Sequence, residues 1–141
     1  MARGSIKYTN DVRADAVDRS PSMNLVLLCA AAWAIPGAGH LWLGRRQKAM
    51  LFFVALMVMF VMGVAIDGCL FPFTLSEPFV GLSALADMGV GMPYFIARAM
   101  GFGAGDPRAA SYEYGNTFLI VAGLLNVLII LDAYDVATGR K

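Results

Sequence analysis

The sequence predicts an all-α integral membrane protein with three transmembrane helices: a kinked first helix, a hairpin to the second, and a third near the C-terminus. Short interfacial helices fill the middle segment. Hydrophobic residues make up 59% of the chain and charged residues only 15%, against about 45–50% and about 25% in soluble domains. A soluble domain of 141 residues could not hide that much apolar surface. The charges are also missing in runs. Residues 20–44, 49–66 and 114–131 contain no Asp, Glu, Lys or Arg, and each run is near the ~20 residues that cross hydrocarbon. These features exclude a soluble enzyme, a secreted disulfide scaffold and a disordered tail. A net charge of +1 offers no basic excess, so no nucleic-acid partner is expected.

Residues 1–19 form a polar tail of mixed charge, with Arg3, Lys7, Asp11, Arg13, Asp15, Asp18 and Arg19. Residues 20–68 read as a helical hairpin. Ser20 can cap the free amides of a helix, and Pro21 suits its first position. From Pro21 to Leu43 a helix would reach roughly 34 Å, enough to cross. Pro36-Gly37-Ala38-Gly39 interrupts it. Proline cannot donate to the carbonyl four residues back, so a kink or break is expected about two thirds of the way across, and the freed carbonyls need partners inside protein. Gly44-Arg45-Arg46-Gln47-Lys48 is a tight basic turn into the second helix, which Asp67-Gly68 ends. Ala30, Ala34 and Ala38 make a small-xxx-small stripe that would let a neighbouring helix approach closely. Met50, Phe53, Met57 and Phe60 would face lipid or a partner.

Residues 69–113 are rich in glycine and proline. Residues 79–100 are apolar enough to enter lipid, but Asp87, Arg98, Pro93, Gly81, Gly89 and Gly91 argue against a clean span. One or two short helices at the interface, dipping inward, are expected there. Residues 114–141 carry the third helix, closed by Gly139-Arg140-Lys141 as a C-cap glycine with two cations. Leu119, Ala122, Asn126, Ile129 and Ala133 share one face, with Gly123 beside it, and that face is expected to pack on the hairpin. The cations of the 45–48 turn and of the C-terminus lie close to helix ends, whereas those of the other side are spread through longer acidic segments. The turn and C-terminus are therefore expected in the cytoplasm, with the N-terminus and middle segment outside.

Candidate functional residues are few. His40, the only histidine, has small neighbours and Trp42 nearby. It could ligate a haem iron or a chlorophyll magnesium, or bond to a carbonyl freed by Pro36 and so lock the kink. No cofactor is specified. Asn126, in mid-span, needs a partner on another helix. Asp132 and Asp135, one turn apart, are expected to form a charge cluster with Arg45, Arg46 and Lys48. Pro36, Gly37, Gly39 and Gly44 shape the break and the turn. Cys29 and Cys69 have neither metal-ligand spacing nor a disulfide framework and read as buried, inert thiols. Cys29 follows Leu28, too large for a lipid-attachment motif, and Asp11, Asp15 and Asp18 precede it. No nucleophile stands near a base, so no catalytic constellation is visible.

The run Pro36-Gly37-Ala38-Gly39-His40-Leu41-Trp42-Leu43-Gly44-Arg45-Arg46, with an apolar span on each side, resembles the two-transmembrane-helix (TM-two) domain family. Residues 112–141, with Glu113-Tyr114-Gly115-Asn116 and Leu131-Asp132-Ala133-Tyr134-Asp135, resemble the closing segment of a related bacterial membrane family of unknown function. The resemblance implies a bacterial inner-membrane protein with a cytoplasmic basic turn and no enzymatic activity. Relatives with an Asp-Arg-aromatic triplet near the turn suggest receptor-like coupling. Gly44-Arg45-Arg46 stands here instead, so that role is not implied. The expectation is a non-catalytic accessory or structural subunit of a larger membrane complex, with lipid and other membrane subunits as partners. A pigment- or haem-binding subunit and a small oligomeric transporter are the alternatives.

Overall fold

The computed structural model describes residues 20–140. The polar tail 1–19 and Lys141 lie outside the described residues. Apart from one isolated bridge between Cys69 and Ala104, the regular structure described is helical. The helices are α1 (Ser20–Ala34), α2 (Ala38–Trp42), α3 (Arg46–Ala65), α4 (Pro78–Met88), α5 (Met92–Ala99) and α6 (Tyr112–Ala137). Two of them, α3 and α6, are long and apolar enough to cross a membrane. The apolar α1, at 15 residues, falls short of that length by itself.

Everything is arranged around α6, on which α1, α3 and α4 all pack. Its buried face is the expected one: Leu119, Ala122, Gly123, Asn126, Ile129 and Ala133. Opposite it, α3 runs antiparallel and contributes Leu56, Phe60 and Gly63. The outward faces are as apolar as the core, with Met50, Leu51, Val54 and Val58 on α3 and Leu124, Leu128 and Leu131 on α6 exposed. Phe60 departs from the expected outward stripe. It is buried in the core beside Tyr94 and Ala97 of α5, because α5 lies across that part of α3.

The break at Pro36 is complete. Helix α1 stops at Ala34, and α2 restarts after Gly37, whose φ of 83° is left-handed. Glycine is required there twice over, since a Cβ would also lie 2.5 Å from the carbonyl oxygen of Ala49. The small-residue contact face is displaced from the stripe read in the sequence. Ala30 is exposed and Ala34 and Ala38 are half-buried, whereas Leu28, Ala32 and Gly39 are buried. A Cβ on Gly39 would sit 2.9 Å from the Cβ of Ala32 and 3.0 Å from that of Ala133. A stripe extended through the break assumes a helical phase that the chain does not keep.

At its other end α3 closes with Asp67 in a left-handed conformation (φ 68°), and the Gly68 amide donates back to the Gly63 carbonyl at 2.9 Å, a Schellman-type stop. The middle segment then forms two short helices, α4 and α5, bent by 109°. Its flanks are paired: the Leu70 amide donates to the Gly103 carbonyl at 2.9 Å, next to the Cys69–Ala104 bridge. The segment thus leaves and rejoins the bundle at one end, while its corner, Gly89-Val90-Gly91, reaches the middle of α6. Two glycines make that approach possible. A Cβ on Gly123 would collide with the carbonyl oxygen of Ala86, and one on Gly91 (φ 87°) with that of Trp33. The C-terminus ends as the sequence suggests, with Gly139 at φ 74° and the Arg140 amide donating to the Asp135 carbonyl at 2.9 Å.

Gly91 and Gly101 test this corner as a pair. Both have positive φ, but nothing lies within 4 Å of a Cβ on Gly101. Gly101→Ala is expected to cost ~1–2 kcal/mol of backbone strain, and Gly91→Ala clearly more, because the corner must withdraw from Trp33. Unfolding of the purified variants in detergent micelles measures the difference. Equal losses would mean that the contact with Trp33 carries no energy.

Candidate functional site

The turn end of the bundle holds a buried polar pair. Gly37 and Gly39 let α2 wedge between the first turn of α3 and the last turns of α6, and this places His40 against α6. The His40 ring is fully enclosed, its Nε2 lies 2.9 Å from Asp132 Oδ2, and the ring of Phe52 packs edge-on at 5.1 Å. Nδ1 finds no hydrogen-bond partner. A buried N–H without an acceptor costs more than a bare lone pair, which assigns the proton to Nε2, donating to the carboxylate. Lys48 Nζ stands 3.9 Å from the same carboxylate oxygen.

This differs from the arrangement expected from sequence in three ways. His40 bonds to a carboxylate rather than to a carbonyl freed by Pro36, because α2 carries it past the break and up to Asp132. Trp42 turns outward, 59% exposed, and leaves the ring to Phe52. The expected charge cluster contracts to Lys48 and Asp132. Arg45, Arg46 and Asp135 make no ion pair among the described residues, because the short turn points both arginines outward.

A second polar node lies at mid-bundle. Asn126 is fully buried, and its Nδ2 donates to the carbonyl of Gly89 at 2.9 Å and to that of Trp33 at 3.4 Å. The Trp33 indole in turn donates to the Met88 carbonyl at 3.1 Å. One amide therefore joins both backbone breaks, the end of α1 and the α4–α5 corner. The sequence marked Asn126 as needing a partner on another helix; which carbonyls it meets depends on where two loops turn, and no local pattern encodes that.

A third group sits near the opposite end of the bundle. Asp87, 2% exposed, accepts from the Phe71 amide at 3.2 Å. The Tyr94 hydroxyl donates to the Phe71 carbonyl at 2.8 Å and accepts from Arg98 Nη1 at 3.1 Å. The Cys69 amide donates to Asn116 Oδ1 at 2.7 Å. Tyr94 was not singled out by the sequence, and Asn116 entered only within the run Glu113-Tyr114-Gly115-Asn116, with no partner expected for it. Cys29 and Cys69 are half-buried rather than buried. Burial, with the Asp87 carboxylate adding to it, pushes the Cys69 thiol up from its ordinary value, away from the reactive thiolate.

Chemically, these groups are tied to one another and to backbone breaks. One hydroxyl does meet a carboxylate, Ser111 Oγ donating to Asp67 Oδ2 at 3.1 Å on an exposed part of the chain, and among the described residues no three His, Cys, Asp or Glu side chains gather into a metal-ligating set. What fold and polar groups define is a helical protein with membrane-length apolar helices, stitched internally by buried polar contacts. The chain belongs to a family of unknown function, DUF6677, which it matches over residues 27–141. That match is not to the TM-two domain, so the likeness at Pro36-Gly37 through Arg45-Arg46 is one of motif. No curated protein matches the chain, and no solved structure does.

Two stability measurements follow. His40→Ala and Asp132→Ala are each expected to cost ~1–3 kcal/mol: the second leaves the enclosed His40 ring without its acceptor, and the first empties the space the ring fills against Phe52. The double variant should lose less than the sum, by ~0.5–3 kcal/mol; strict additivity in a detergent unfolding cycle would show that the pair is not coupled. Asn126→Leu strips the donor from the Gly89 and Trp33 carbonyls and should destabilise by ~0.6–1.7 kcal/mol. It should also speed amide exchange at the α4–α5 corner; unchanged exchange there would argue against the joint.

Proposed function

We propose that this chain is a non-catalytic accessory or structural subunit of a larger complex in the bacterial inner membrane. One observation carries the reading. The buried polar side chains described above each bond to the chain's own helices and breaks, although His40 Nδ1, Asp87 Oδ1 and Asn126 Oδ1 find no partner, while the outward faces of α3 and α6 remain apolar and exposed along their length. Such faces suit lipid or the helices of another protein. In this reading α1 with α2, α3 and α6 cross the membrane, and α4 and α5 re-enter from one side. The paired flanks at Leu70 and Gly103 support re-entry. The 45–48 turn and the C-terminus face the cytoplasm by their dense cations, and the likeness of the turn to the TM-two motif points the same way.

The alternatives demand more of the same residues. A haem or pigment on His40, whether on the unpartnered Nδ1 or in place of Asp132 at Nε2, would have to open a ring that is fully enclosed. A transport path along the Pro36 break would have to part Asn126 from Gly89 and Trp33.

A native gel of gently solubilised membranes, with mass spectrometry of the band holding this 15.1 kDa chain, tests the proposal. The expected result is a large band with a fixed set of partner subunits. A band at the mass of a monomer or small homo-oligomer would overturn it and favour the transporter.

A further inference from the structure

The break at Pro36 leaves a furrow along the flank of α3. Near the turn it is a hollow of about 440 Å³ walled by Pro36, Leu41, Met50 and Phe53, with Arg46 at its rim. A second hollow of about 480 Å³ continues it past Met57 and Ile96 towards Val61. The two share Ile35, Pro36 and Phe53, so they adjoin, and together they line an apolar furrow. Measured along α3 from Arg46 to Val61, it extends about 22 Å at 1.5 Å per residue, enough to pass through one leaflet of a hydrocarbon core ~30 Å thick.

The turn end of the furrow is cationic. Arg46 also borders a polar hollow of about 350 Å³ formed by Gly44, Arg45, Gln47 and Lys48. Neither Arg45 nor Arg46 makes an ion pair among the described residues. Helix α3 begins there on Arg45 without a side-chain cap, which adds the positive end of its dipole.

We propose that the furrow binds an anionic phospholipid, one acyl chain lying along Ile35, Pro36, Phe53 and Met57 and the phosphate meeting Arg46 and the 45–48 turn. Charge complementarity selects this occupant. A zwitterionic lipid brings no net charge to the cations, a free phosphate leaves the furrow unused, and a partner helix, ~10 Å across, has no reason to place an anion at that one end. Basic pockets beside membrane helices hold anionic headgroups in this way. The inference rests on the chain lying in a membrane and is independent of its being a subunit.

The test incubates the full chain in mild detergent with equal amounts of phosphatidylglycerol and phosphatidylcholine bearing identical acyl chains, and reads the retained lipid by native mass spectrometry. Retention of phosphatidylglycerol several-fold over phosphatidylcholine is expected. Arg46→Gln should cut that preference about fivefold, the scale of one cation near a charged surface, while Arg46→Lys keeps it. Ile35→Trp, filling the furrow from its exposed rim, should lower retention of both lipids without changing thermal unfolding. Glycerol phosphate, a headgroup without chains, should displace nothing. Equal retention of the two lipids, a preference untouched by Arg46→Gln, retention untouched by Ile35→Trp, or displacement by glycerol phosphate would each overturn the proposal.

Discussion

Backbone that stops being helical within an apolar layer exposes carbonyls that no water is present to meet. Here two breaks between apolar helices lie within reach of one side chain. Asn126 donates to Trp33 at the end of α1 and to Gly89 at the corner of α4 and α5, and Trp33 returns a bond to Met88. The rest of the fold is arranged to permit this meeting. Gly123 and Gly91 bring the backbones close enough, and the break that frees Trp33 also carries α2 round to set His40 against Asp132. Single interhelical bonds of this kind are modest, averaging ~0.6 kcal/mol. Their value lies in register: apolar helix faces slide past one another at little cost, and directional bonds at two heights of α6 fix which turn meets which.

The turn-end pair and the mid-bundle joint differ in character. Asn126 meets backbone, so its partners are present whatever side chains surround them. His40 and Asp132 meet as side chains, with Lys48 at the margin and part of the carboxylate still exposed. The first is a fixture of the fold. The second couples α2 to α6 through two side chains, either of which a single substitution removes.

Much of the architecture was legible in the sequence. The charge-free runs located α3 and α6, Pro36-Gly37 located the break, glycine and proline between residues 69 and 113 foretold one or two short helices where two form, and the spacing of Leu119, Ala122, Asn126, Ile129 and Ala133 named the buried face of α6. These are local signals, carried by helix period, proline geometry and length. What stayed hidden was relational. The pairing of His40 with Asp132 depends on how far α2 rotates after the break, and that rotation also spoils the alanine stripe read across it. Phe60 looked outward because nothing local announces that α5 will lie over it. Arg45 and Arg46 looked like partners for Asp132 because the turn that points them away is set by backbone rather than by charge.

The position of α6 in the chain has a consequence for how the molecule comes together. The surfaces that receive α1, α3 and the α4–α5 corner all lie on the helix that follows them in sequence. Until α6 is in place, Trp33 and Gly89 have no amide to meet, His40 has no carboxylate, and the bent segment has no glycine seat at Gly123. A chain lacking this last helix would therefore lose several partners at once, at the Pro36 break, at the α4–α5 corner and at the turn end.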